Sequence, residues 1–200
     1  MIKMQDTLQK YIPKAAMSYV IGLLEKENLV VKVKQERKTR HGDYRRMPNG
    51  KHQITINANL NYYRFLITLV HEVAHLETYK KFGNAIKPHG KEWKLTFQRL
   101  MLPLVNPEVF PEDLLPLIAK HFLNPKASSD TDVQLSRALK GFDEANDKTY
   151  IYQLPEGATF LLHGKRMFKK GKIRVKRYEC IEVTTGKLYL FNSNAEVELL

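Results

Sequence analysis

The sequence contains a single cysteine and no long apolar run. Because Cys180 has no second cysteine to pair with, an internal disulfide and a four-cysteine zinc site are both excluded for this chain. No run of about 18 consecutive apolar residues occurs, and the first residues lack a basic stretch followed by an apolar core. We therefore expect a protein of the reducing cytoplasm that is neither exported nor membrane-spanning.

Acidic residues are also scarce relative to basic ones. The chain has 33 Lys and Arg against 21 Asp and Glu, which gives a formal net charge of +12. The excess is concentrated in residues 32–51 and 161–180, and such basic stretches favour association with nucleic acid, without distinguishing DNA from RNA. Solvated strand faces are also often rich in lysine, so this alternative stays open. The candidate nucleic-acid-binding residues are Lys165, Arg166, Lys169, Lys170, Lys172, Arg174, Lys176 and Arg177.

One short motif combines metal-binding and acid–base residues. His71, Glu72 and His75 form an H-E-x-x-H sequence. On a helix, side chains four positions apart lie on the same face, so His71 and His75 can bind one metal ion. Glu72 is turned by about 100° from His71, so its carboxylate can reach a metal-bound water rather than the metal. Zinc peptidases use this arrangement.

The surroundings of the motif predict a helix and a third ligand. Apolar residues recur at helical spacing through residues 61–82, with Asn61 as N-cap and Gly83 as a C-terminal stop. After a turn-prone stretch, His89 stands at the start of a second helix, from which it can fold back onto the first. Glu92 is the alternative third ligand, because zinc accepts carboxylate as well as nitrogen ligands. Either set predicts one zinc ion per chain.

The order of predicted elements indicates an α+β protein with two domains. Residues 1–124 contain most of the helical patterns, with strands predicted at 29–35 and 52–57. Residues 125–147 are polar and are predicted to be a linker that carries one short helix. Residues 148–200 consist of short alternating runs separated by glycines, which predicts a small, basic, antiparallel β module.

The metal motif, together with His89-Gly90 and Trp93, resembles the SprT-like family, bacterial relatives of the Spartan proteases that degrade proteins crosslinked to DNA. The resemblance covers most of the first 105 residues. It implies a helical, zincin-like metallopeptidase domain over residues 1–124, with a short β-sheet. Zinc would be held by His71, His75 and His89, with Glu72 as catalytic base.

The resemblance has two further implications for parts outside the motif. The strand Ile54-Thr55-Ile56-Asn57 would be the sheet edge along which an extended substrate pairs. The C-terminal module resembles the four-cysteine zinc ribbon of many SprT-like proteins with all its cysteines but Cys180 missing.

The function expected from these features is that of a zinc-dependent endopeptidase. It would hydrolyse peptide bonds of DNA-associated proteins by a zinc-activated water, with Glu72 as general base. The alternatives are a non-catalytic, metal-stabilised nucleic-acid-binding protein and a zinc hydrolase of small amides or cell-wall peptides. A group that stabilises the oxyanion is also needed. The tyrosines near the motif in sequence are Tyr62, Tyr63 and Tyr79.

Overall fold

The computed structural model describes residues 2–27, 29–37, 39–144 and 148–200. They form two compact units, Met1–Asp143 and Glu144–Leu200. Helices and two separate β-sheets make up these units, which confirms the predicted α+β class. None of the described helices is long and apolar enough to cross a membrane.

The first unit contains six helices and three strands among its described residues. The helices are α1 (Ile2–Leu8), α2 (Met17–Glu25), α3 (Tyr62–Phe82), α4 (Lys91–Met101), α5 (Leu115–Leu123) and α6 (Val133–Lys140). The strands are β1 (Leu29–Lys34), β2 (Gly42–Arg46) and β3 (His52–Asn57). Short 3₁₀ turns lie at Lys14–Ala16, Leu102–Leu104 and Ser129–Thr131.

The strand β3 lies in the centre of the first sheet, in the order β1-β3-β2. It pairs parallel with β1 and antiparallel with β2. The prediction that the strand ending at Asn57 is a free edge was therefore wrong, because β3 has a partner on each side. No strand was predicted between residues 35 and 52, because the polar composition of β2 concealed the strand that covers this edge.

The metal helix α3 forms the centre of the first unit. Its apolar residues pack between the sheet and α4, in one core that includes Ile54 and Ile56 of β3. As predicted, the helix begins after Asn61, whose Oδ1 accepts the backbone N–H groups of Tyr63 and Arg64. It ends at Gly83, whose φ of 62° is a conformation that glycine adopts readily. Burial on several sides keeps α3 rigid.

The helix α6 belongs to this core. Leu135 and Leu139 on its inner face are fully buried in the core of the first unit, and the Asn61 amide donates to the Leu139 carbonyl. Residues 125–143 therefore extend the first unit instead of linking it to the second. The amphipathic pattern of α6 needs an apolar surface to cover, and the core provides it. Residues 145–147 of the predicted linker lie outside the described residues.

The second unit is built on one six-stranded sheet. Its strands are β4 (Lys148–Tyr150), β5 (Thr159–Leu162), β6 (Arg166–Arg174), β7 (Arg177–Glu182), β8 (Leu188–Asn192) and β9 (Glu196–Leu199), in the order β4-β9-β5-β6-β7-β8. All the pairings are antiparallel. A small core forms on one face, with Phe160, Phe168 and Cys180 fully buried.

The cap of α3 gives a stability prediction. Replacing Asn61 with alanine removes the acceptor for two backbone N–H groups and the donor to Leu139, so we expect a loss of about 1–2 kcal/mol in the free energy of unfolding. Urea unfolding of the two proteins measures the difference. Asn84→Ala, in the exposed turn after α3, is the control and should change stability by less than about 0.5 kcal/mol. Equal unfolding midpoints for the two variants would contradict the assignment.

Candidate metal centre

Three histidine side chains converge beside α3. His71 and His75 lie one helical turn apart, and their Nε2 atoms are separated by 3.1 Å. The Nε2 atom of His89, in the loop before α4, lies 2.9 Å from that of His75 and 3.3 Å from that of His71. His89 has a φ of 58°, in the left-handed region that non-glycine residues rarely occupy. The loop thus adopts an unfavourable backbone conformation at the residue that completes the cluster.

The donor set suits a zinc ion. The site offers three nitrogen ligands, the ligand type and number that zinc takes in open, catalytic sites. Burial and mutual repulsion between the rings lower the pKa of His71 to about 2 and of His75 to about 4, and burial lowers the pKa of His89 as well. All three rings are therefore neutral at pH 7, which is the form that binds a metal.

The rival ligand Glu92 lies outside this cluster. Among the described residues, the group whose donor atoms could meet at one ion consists of the three histidines. Glu92 sits in the first turn of α4, and its Oε2 is 3.5 Å from the position that a Cβ on Gly90 would occupy. A carboxylate there interacts favourably with the N-terminus of its own helix. The geometry thus favours His89 as the third ligand.

A buried tryptophan orients the three rings. The indole ring of Trp93 on α4 lies 4.6 Å from His71, 5.2 Å from His75 and 4.7 Å from His89, measured between ring centroids. Trp93 also packs against Phe97, one turn further along α4. Its Nε1 is buried and has no hydrogen-bond partner among the described residues. Trp93 therefore acts on the site as an apolar wall that limits how the imidazoles can rotate.

The Glu72 side chain, one residue after His71 on α3, packs against the edge strand β2. It is 7% exposed, and its side chain packs against Gly42 so closely that a Cβ there would lie 2.7 Å from Glu72 Oε1. The same Cβ would lie 2.7 Å from Cγ2 of Thr68. The backbone N–H of Tyr44, two residues along β2, donates to the Glu72 carboxylate. A glycine and a main-chain donor on β2 thus fix the carboxylate beside the histidine cluster.

The environment of Glu72 favours its protonated form when no metal is bound. Burial is the main cause and, with the nearby charge of Asp43, raises the pKa of Glu72 to about 8. The Tyr44 N–H and the charges of Arg37 and Arg40 act in the opposite direction. A metal dication held by the histidines would also favour the carboxylate form. Glu72 is therefore poised to exchange a proton near neutral pH.

Of the three tyrosines near the motif, only Tyr79 lies on the metal side of α3. Tyr62 is 54% exposed in the first turn of the helix, and Tyr63 packs against Phe110, both well before His71. Tyr79 follows His75 by one turn.

Tyr79 lies in a ring cluster that the sequence analysis missed. Its ring lies 6.3 Å from that of Tyr44 and 6.2 Å from that of His52, and the guanidinium of Arg46 lies over it at 5.9 Å. The Tyr44 hydroxyl is 2.9 Å from His52 Nδ1, and burial raises the pKa of Tyr44 to about 12. This cluster was not predicted because no strand was predicted over residues 42–46. The alternation of Gly42, Tyr44 and Arg46 was the available signal.

The eight candidate DNA-binding residues of the second unit do not share one environment. Lys170 is buried, donates through Nζ to the carbonyl of Leu154 and lies 4.1 Å from the centre of the Tyr178 ring. Lys170 lies two residues after the buried Phe168 on β6 and opposite the buried Cys180 of β7. Strand alternation therefore turns it toward the core, where it is unavailable to nucleic acid.

Two of the remaining candidates are paired with carboxylates. Arg166 bonds Glu182 at 2.6 Å, and Arg174 lies 3.7 Å from Glu179. The others are exposed: Lys165, Lys169, Lys172, Lys176 and Arg177.

Comparison with known proteins identifies the family to which the chain belongs. A profile of the SprT-like family matches residues 8–110, which is just over half of the chain and includes all three histidines and Glu72. The chain belongs to the SprT-like family. Membership of the SprT-like family indicates a metallopeptidase-type function and agrees with the convergence of the histidines.

Individual relatives match over a short segment. The Protein SprT of Pseudomonas fluorescens (strain Pf0-1) and that of Pseudomonas syringae pv. tomato (strain ATCC BAA-871 / DC3000) are each 57% identical over 28 residues. The segment covers 14% of this chain and 17% of each relative, so the chain spans less than a fifth of their length. No solved structure matches significantly. SprT-like membership thus rests on the profile match.

The contact between Gly42 and Glu72 gives a second prediction. Gly42→Ala places a methyl group against the Glu72 carboxylate and Thr68, so we expect a loss of about 1–3 kcal/mol in the free energy of unfolding from overpacking. The matched control is Gly22→Ala in α2, where a Cβ meets no atom within 4 Å. It should be stabilising by about 0.5–1 kcal/mol. Urea unfolding measures both, and a Gly42→Ala protein as stable as the control would show that the contact is absent.

The ligand set gives a third prediction, tested by metal analysis of the purified protein. We expect about one zinc per chain in the parent. The zinc content should fall sharply in His89→Ala, which removes one of three converging nitrogens, and little in Glu92→Ala. The reverse pattern would assign the third position to Glu92.

Proposed function

We propose that this protein is a zinc-dependent endopeptidase. The observation that carries the proposal is the convergence of three neutral imidazoles next to one buried carboxylate. His71, His75 and His89 would hold the ion. When bound, zinc supplies a Lewis acid that polarises the substrate carbonyl and acidifies a water molecule.

Glu72 acts as the general base and then as the general acid. Its carboxylate takes a proton from the attacking water and later delivers that proton to the leaving amine. Both roles require a side chain whose position does not change during the reaction. The close contact with Gly42 and the Tyr44 N–H restrict the Glu72 carboxylate in this way.

The edge strand β2 gives the site a way to bind a polypeptide. Among the described strands, β2 pairs only with β3, so no described strand covers its other edge. An extended chain can add to such an edge through main-chain hydrogen bonds. Since Gly42 and Tyr44 border Glu72, a peptide on this edge would pass the metal centre, as in a zincin-like cleft. This arrangement favours a peptidase over a hydrolase of small amides.

We further propose DNA-associated proteins as the substrates. The support is the net charge of +12 and the exposed basic residues of the second unit. We regard that unit as a zinc ribbon without its metal, in which Cys180 has become part of an apolar core with Phe160 and Phe168.

The rival function is that of a non-catalytic, metal-stabilised nucleic-acid-binding protein. A structural zinc site needs four closed ligands and no base beside them. Here three histidines converge, and Glu72 is buried next to them without joining the cluster. This placement favours catalysis.

The fourth prediction tests both parts of the proposal. Glu72→Gln should keep its zinc and lower the cleavage of a DNA-binding protein by about 100-fold or more, because the amide cannot accept the proton. Gel analysis of the substrate, with and without DNA, measures the cleavage. Glu77→Gln is the matched control on the same helix, and it should cleave as the parent does, because Glu77 pairs with Arg99 on the surface.

The three functional readings give different outcomes in this assay. Cleavage that depends on DNA supports the proposal. DNA binding by the parent without any cleavage would favour the structural zinc site, and cleavage that ignores DNA would favour a general hydrolase. Unchanged cleavage by Glu72→Gln would remove Glu72 as the base.

A further inference from the structure

The side of the first sheet that faces away from α3 carries basic residues. Because side chains alternate along a strand, β1 directs Val31 and Val33 into the core and exposes Lys32 and Lys34 on the opposite side. In the same way, β2 exposes Arg45 on this side. We call this side of the β1-β3-β2 sheet the outer sheet face.

A groove of about 390 Å³ lies on the outer sheet face, with Arg37 fixed along it. The Arg37 Nε donates to Asn57 Oδ1 at 2.8 Å, and its Nη1 donates to Thr55 Oγ1 at 2.8 Å. Its Nη2 donates to the backbone carbonyls of Thr55 and His41. All these partners are neutral. The guanidinium is therefore held in one orientation while its charge has no described ion-pair partner.

The charge balance of the face is positive. Five basic side chains lie in the groove or beside it, against two acidic ones: Lys32, Lys34, Arg37, Arg40 and Arg45 against Glu36 and Asp43. Asp43 is shared between Arg40 at 2.8 Å and Arg45 at 2.5 Å. Among the described residues, Lys32, Lys34 and Arg37 have no such carboxylate. The exposed ammonium groups of Lys32 and Lys34 are therefore available to an anionic partner.

We infer that the outer sheet face binds the phosphodiester backbone of nucleic acid. Lys32 and Lys34 lie two residues apart on one strand, about 7 Å along it, a spacing comparable to that of neighbouring phosphates on one nucleic-acid strand. The guanidinium of Arg37 already donates four of its five N–H groups within the protein, so it adds a fixed positive charge to the face. The described side chains of this face include no aromatic ring on which a base could stack. Binding is therefore to the backbone and is insensitive to base sequence.

The outer sheet face and the side chain of Glu72 lie on opposite sides of the same strand, β2. Along β2, Gly42 and Tyr44 border Glu72 on the inner side, whereas Asp43 and Arg45 belong to the outer sheet face. Nucleic acid on the outer sheet face would then lie on the opposite side of β2 from Glu72, within the same unit. A role in presenting DNA-attached protein rests on the proposed peptidase function, but binding itself does not.

The fifth prediction tests this binding with the full chain in a Glu72→Gln background, so that peptidase activity plays no part. Fluorescence anisotropy of a short fluorescein-labelled DNA duplex is measured over a range of salt concentrations. Lys32→Gln/Lys34→Gln should lower the slope of log K against log salt by about 2 and weaken binding at low salt by about tenfold, because two phosphate contacts are lost. A duplex of different sequence should give the same result.

The matched control is Lys10→Gln/Lys14→Gln, which removes the same charge from two exposed positions that are not on the β1-β3-β2 sheet. It should bind as the parent does. Circular dichroism melting checks that both double variants are folded. A loss of the same size in the control, or an unchanged slope in Lys32→Gln/Lys34→Gln, would overturn the inference. So would competition by poly-glutamate as strong as that by unlabelled duplex, since it would assign the face to acidic protein.

Discussion

The structure of the first unit depends on the burial of most of α3, in which 12 of 21 residues are buried. A helix that is buried on several sides must satisfy every polar group it carries, because an unpaired polar group away from water is costly. The hydroxyls of Thr68 and Thr78 each donate to a carbonyl one turn earlier in the helix. Arg64 bonds Asp130 and the Ser136 carbonyl. The imidazoles of the motif are also partly buried. Their nitrogen atoms lie close mainly to one another, so a cation could bind between them.

The same burial explains why this part of the structure could be predicted from sequence. Helical spacing of apolar residues, an N-cap at Asn61 and a stop at Gly83 are local signals, and each lies where it was expected. The grouping of His89 with the motif histidines could also be inferred, because a short turn limits how far the chain can travel. Local patterns were enough to predict the helix and the grouping of His71, His75 and His89.

The features that the sequence did not predict depend on contacts between distant segments. The polar strand β2 is defined by its pairing with β3, and this pairing also reverses which strand is an edge. The sequence alone did not show whether α6 belongs to a linker or to the first unit, because this depends on Leu135 and Leu139 packing into a core formed by other segments. In β6, Lys170 lies on the same face as Phe168, and only the packing of the second unit shows that this face is the inner one. In each case the structure depends on a contact with a segment distant in sequence, which the local sequence does not identify.

The backbone conformation of His89 affects how stably the three-histidine cluster is assembled. A non-glycine residue in the left-handed region costs about 1 kcal/mol or more, which corresponds to roughly a fivefold change in an equilibrium constant. A ligand that binds all three imidazoles would bind only the conformation in which His89 meets the other two histidines, so its binding would stabilise this loop conformation. Under the proposed function that ligand is zinc, and assembly of the three-histidine cluster would then depend on how much zinc the protein encounters.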